Sequence, residues 1–92
     1  MLSALLTIEL EVSTPRQRTI LRRELLRKNW RIVPHDEMLF AKPLTGFNSD
    51  EKALDFVTRQ LKSALRTAKI SRWGADCMFA TDPAEPSTLR VP

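Results

Sequence analysis

Apolar and polar residues alternate at the start of the chain. Within residues 4–12, Leu6, Ile8, Leu10 and Val12 fall on one parity, and Thr7, Glu9 and Glu11 on the other. A period of two sends neighbouring side chains to opposite faces, so this stretch predicts a half-buried strand. Ser13-Thr14-Pro15-Arg16-Gln17 then opens a helix. Thr14 is the N-cap, Pro15 takes the first helical position, and Gln17 completes a capping box. The helix runs to about Asn29, with Ile20, Leu21, Leu25 and Leu26 as its inward stripe. Trp30 to Val33 and Met38 to Lys42 form a hairpin across the turn Pro34-His35-Asp36-Glu37, and Pro43 ends its second arm. Leu44 to Phe47 connect to a second helix, capped by Asn48 or Ser49, with Asp50 and Glu51 in its first turn. Leu54, Val57, Leu61, Ala64, Leu65 and Ala68 give that helix an apolar stripe at three- and four-residue spacing. Gly74 marks a break, and Ala75 to Thr81 is the last strand.

The predicted order is β-α-β-β-α-β, the split arrangement of ferredoxin-like domains. Right-handed crossovers put both helices on one face of a four-stranded antiparallel sheet, an α+β fold. Residues 1–82 form one domain, and the proline-containing stretch 83–92 reads as a flexible tail.

With 92 residues, 42% of them hydrophobic, the chain can build one modest core and is not disordered. A core of this size leaves a homodimer as the expected state. Cys77 is the only cysteine, which excludes an internal disulfide and suits a reducing, cytoplasmic location. It lies in an apolar strand and reads as a small core residue, as do Met38 and Met78. The apolar start lacks a basic leader and is interrupted by Glu9 and Glu11, and no run approaches the roughly 18 apolar residues of a membrane span. No membrane association and no cofactor are expected.

Charge changes the picture most. Residues 13–31 hold Arg16, Arg18, Arg22, Arg23, Arg27, Lys28 and Arg31 against Glu24 alone. That segment carries +6, so the net charge of +4 leaves −2 for the remainder. On a helix, Arg16, Arg23 and Arg27 share one side, and Arg18 and Arg22 form a second row. Arginine forks match phosphate oxygens, so these seven residues are the candidate contacts to RNA or DNA. The plainer reading is a solvated arginine-rich face, and an acidic protein partner is a third. The indole rings of Trp30 and Trp73 flank strands and read as core rims, not as platforms for bases.

Two other groups carry candidate chemistry. His35 and Asp36 (with Glu37) bring a general base beside carboxylates, the pairing that an RNA-cleaving acid–base enzyme needs; a polar turn is the plainer alternative. Glu9, Glu11 and Asp76 suggest either a divalent-cation site or cross-strand ion pairs, for example with Lys42. Gly46 and Gly74 are the only glycines, which excludes a glycine-rich phosphate loop.

The strand Leu6-Thr7-Ile8-Glu9-Leu10-Glu11-Val12, the arginine-rich helix closing at Leu26-Arg27-Lys28-Asn29-Trp30, and the arm Phe40-Ala41-Lys42-Pro43 ahead of an amphipathic helix make a recognisable order. It resembles small ferredoxin-like ribonuclease-type proteins, such as the GhoS-type antitoxins and the small CRISPR adaptation nucleases. The resemblance implies a homodimer and a nucleic-acid partner. The second family places an aspartate at the end of the first strand, where this chain has Glu11-Val12-Ser13.

Overall fold

The computed structural model describes residues 2–36, 38–47, 49–81 and 87–92. Asn48 and Glu37 therefore lie outside the described residues. The elements are β1 (Leu2–Leu10), α1 (Pro15–Arg27), β2 (Arg31–Ile32), β3 (Leu39–Leu44), α2 (Asp50–Ala68), β4 (Trp73–Thr81) and β5 (Ser87–Arg90). The strands form one antiparallel sheet in the order β2-β3-β1-β4-β5. The protein is an α+β fold, with two helices and five strands among the described residues.

The fifth strand corrects the expectation of four strands and a flexible tail. Ser87–Arg90 pairs with Asp76–Phe79, and Leu89 and the buried Val91 cover the end of the core. The Ser87 hydroxyl donates to the Asp50 carboxylate, which ties β5 to the first turn of α2. Prolines marked this stretch as irregular, yet Ser87 to Val91 itself contains none.

β1 is central, and its parity sets the two faces. Ala4, Leu6 and Ile8 are buried, while Ser3, Thr7 and Glu9 are exposed on the opposite face. Register carries the buried set across the sheet: Leu6 lies opposite Phe40 and Cys77, and Ile8 opposite Ala75. Leu21 and Leu25 of α1 and Val57, Leu61 and Leu65 of α2 close over these residues. The alternation stops at Leu10. Beyond it, Val12 is 70% exposed, so the strand is shorter at this end than its pattern suggested.

Pro43 and Gly74 sit differently from their sequence reading. Pro43 lies within β3, opposite Ser3. β2 pairs only with Phe40 and Ala41, so the outer side of β3 carries no ladder at Pro43. Gly74 lies within β4, where a side chain would collide with the Arg90 guanidinium lying across the strand.

Helix ends are built from side chains and left-handed residues. The Thr14 hydroxyl accepts from the Gln17 N–H at 3.1 Å, and the Thr14 N–H donates to Gln17 Oε1 at 2.9 Å. At the other end of α1, Asn29 is left-handed at φ 69°. Its N–H donates to the Leu26 carbonyl, and the Trp30 N–H to that of Leu25, both at 3.0 Å, which is a Schellman closure. Trp30 then enters the core, 1% exposed, and its indole N–H donates to Gln60 at 2.8 Å. The expectation that it forms a rim fails because the closure turns the chain inward. Lys69 (φ 60°) ends α2 the same way, with the Ile70 N–H donating to Leu65 at 3.0 Å. Ser49 caps the start of α2.

The candidate nucleic-acid interface

The inward stripe of α1 is Leu21 and Leu25, flanked by Ile20 and by Glu24, which is only 8% exposed. Leu26 is 48% exposed and does not belong to it. With Leu21 and Leu25 inward, helical geometry sends Arg16, Arg23 and Arg27 to the outer side, and all three are exposed. Among the described residues only Arg27 of this row has a carboxylate partner, Glu24 at 3.1 Å, and the Arg27 side chain remains 74% exposed. Glu24 is largely buried, but the Arg27 guanidinium itself stays in water, where a further anion can reach it.

Arg18 and Arg22 lie on the flank of α1, half-buried. Arg18 is engaged: its Nη1 donates to the carbonyl and the hydroxyl of Ser13, at 3.0 and 2.9 Å. Arg22 differs: its Nη1 is buried and has no hydrogen-bond partner among the described residues. Lys28 caps α1 and is half-buried, its carbonyl accepting from Lys42. Arg31 is exposed, but it pairs with Ala41 in the sheet, which places its side chain on the face away from the helices. The structure thus gathers Arg16, Arg23 and Arg27, sets Arg18, Arg22 and Lys28 beside them, and separates Arg31.

Helix α2 adds cations outside the seven residues named from the sequence. Arg59, Lys62, Arg66 and Lys69 are exposed, with Arg72 just beyond. Asp55 lies 3.3 Å from Arg59, and both side chains are largely in water. The two helices pack together, and the Gln17 side-chain amide donates to the Lys69 carbonyl at 2.9 Å. The signal was present in the predicted element order, since two helices on one sheet face must share an outer surface.

Lys42 does not pair across strands with Glu9. Register puts it opposite Ala4, on the helix side. Its Nζ lies 5.5 Å from the Phe56 ring centroid and 6.0 Å from that of Trp30, and it donates to the Lys28 carbonyl. Burial holds its pKa below the ordinary 10.5. It serves as a cation at the C-terminal end of α1.

The remaining candidates separate. Glu11 lies outside β1, and Asp76 binds Arg90 at 3.0 Å. Among the described residues no three acidic, histidine or cysteine side chains converge on a metal-sized site. Cys77 is fully buried, and that burial pushes its thiol up to about 12. His35 and Asp36 are exposed in the turn between β2 and β3. Asp36 Oδ1 accepts from the Met38 N–H at 3.1 Å, which engages the carboxylate in holding the turn. No hydrogen bond joins it to His35 among the described residues. Both line a cleft of about 500 Å³ with Arg22, Ile32, Val33 and Pro34.

No family model matches this chain, and no curated protein or solved structure shows significant similarity to it.

Proposed function

We propose that this is a small ferredoxin-like protein that binds RNA or DNA by contacting phosphates from α1. The observation that carries the reading is the outward row of Arg16, Arg23 and Arg27, all exposed, in which two guanidinium groups have no carboxylate partner among the described residues. Arg59, Lys62 and Arg66 of α2 extend the positive surface and give a polyanion more than one line of contact. The ferredoxin-like assignment is supported by the neighbours of β1, which are β3 and β4, with both helices on one side. A homodimer is part of the proposal. The partly covered apolar row Ala41, Leu5 and Met78, on the sheet face away from the helices, is the surface we assign to it. A cytoplasmic location agrees with one buried, unpaired thiol.

The test is fluorescence anisotropy with labelled single-stranded RNA and duplex DNA across a salt series. The double variant Arg16→Glu/Arg23→Glu loses binding to both probes while its circular dichroism spectrum matches the wild type. The logarithm of affinity falls with that of salt by about 0.9 per duplex phosphate contacted, so the wild-type slope counts the contacts. Equal affinity in the two proteins would remove the reading and leave an acidic protein as the partner of this surface.

A further inference from the structure

The cleft between α1 and the β2–β3 turn brings Arg22, His35 and Asp36 against an apolar wall of Ile32, Val33 and Pro34. We propose that it holds one phosphodiester group of a bound polynucleotide, with Arg22 and His35 as its ligands. The inference rests on the nucleic-acid reading, and it adds a specific seat to a surface otherwise described only by charge.

The Arg22 guanidinium is the centre of the cleft. Its Nη1 is buried and has no hydrogen-bond partner among the described residues, whereas its neighbour Arg18 is held by Ser13. The positive charge is delocalised over the planar group, so an anion on the side of Arg22 that lines the cleft offsets part of the cost of taking that charge out of water. Ile32, Val33 and Pro34 border the cleft on one side and offer a ligand no competing polar side chain there. His35 borders the cleft from the turn, where its backbone is left-handed at φ 70°. An imidazole N–H donates to a phosphate oxygen at the position opposite an arginine fork.

Asp36 sets the charge of the ligand. Its carboxylate borders the same space, held there by the Met38 N–H. A second negative charge on the ligand is therefore penalised. A backbone phosphodiester carries one charge, and a terminal phosphate carries nearly two at neutral pH. The cleft selects the backbone group.

The experiment is a nuclear magnetic resonance titration that follows the Arg22 Nε–H and His35 ring signals. The probes are a hydroxyl-ended oligouridine, the same oligomer with a 5′-phosphate, and inorganic phosphate. The hydroxyl-ended oligomer shifts both signals saturably, and the 5′-phosphate adds no affinity. Arg22→Gln weakens binding about tenfold, the worth of one charge-assisted contact. Arg22→Lys, which keeps the charge and loses the fork, falls between the two. Tighter binding of the 5′-phosphorylated oligomer or of inorganic phosphate would overturn the phosphodiester assignment in favour of a terminal group. Unmoved signals, with Arg22→Gln equal to wild type, would overturn the seat altogether. If long RNA still binds in that case, the nucleic-acid reading survives alone; if no nucleic acid binds, both fall together.

Discussion

Cys77 shows how little a side chain's identity says until its depth is known. Its thiol is fully buried on the helix side of β4, and burial raises its pKa from 9.0 to about 12. The thiolate is the reactive form, so the native protein resists alkylation at pH 8. Labelling with iodoacetamide is expected to follow the opening of the fold, accelerating sharply at the denaturant midpoint; rapid native-state labelling would contradict the burial. The pKa is higher in the folded state, so the contribution of this group to stability is complete below about pH 9 and declines as pH rises toward 12. The sequence already pointed to Cys77 as a core residue, because its neighbours in an apolar strand left no other environment. Lys42 was not legible in the same way. Nothing in Phe40-Ala41-Lys42-Pro43 says which face the lysine takes, because that depends on which partner strand sets the register. Only the pairing of Lys42 with Ala4 places its ammonium over Phe56 and Trp30.

At the scale of elements, helix starts were easier to read than helix ends. Thr14-Pro15-Arg16-Gln17 carries its capping box openly. Both C-terminal closures lack the glycine that ordinarily announces them, using Asn29 and Lys69 instead. Their other mark is an apolar residue directly after the left-handed position, Trp30 and Ile70, and this was readable but unread. Lysine in the left-handed region is strained, whereas glycine is not. Lys69→Gly is therefore expected to raise stability by up to about 1 kcal/mol, measured by urea denaturation. An unchanged or lower midpoint would mean that the lysine side chain supports the closure. The inward stripe expected for α1 holds at Ile20, Leu21 and Leu25 and fails at Leu26. At 100° per residue Leu26 lies past the edge of a stripe centred on Leu21 and Leu25, while Glu24 falls within reach of that stripe.

For the whole molecule, charge distribution was the most legible property, and its geometry only partly so. The outer row of Arg16, Arg23 and Arg27 follows from a helical period alone. The separation of Arg31 does not, since a strand only two residues long decides its face. The cleft was out of reach of the sequence because it joins α1 to a turn through tertiary packing. The charge-reversal experiment belongs to this scale. Its effect should shrink as salt rises, because the affinity it removes is that of displaced counterions. The placement of β5 has a further consequence. β4 is nine residues long, and β5 shields four of them on its outer side. A chain stopped after residue 82 would present an almost bare, extended margin of amide and carbonyl groups, a template for pairing with another molecule. Such a truncation is expected to associate into larger species in sedimentation, while the full chain keeps a fixed size. Ser87–Arg90 would then act as a guard on the edge of the sheet, keeping the fold from polymerising through its backbone.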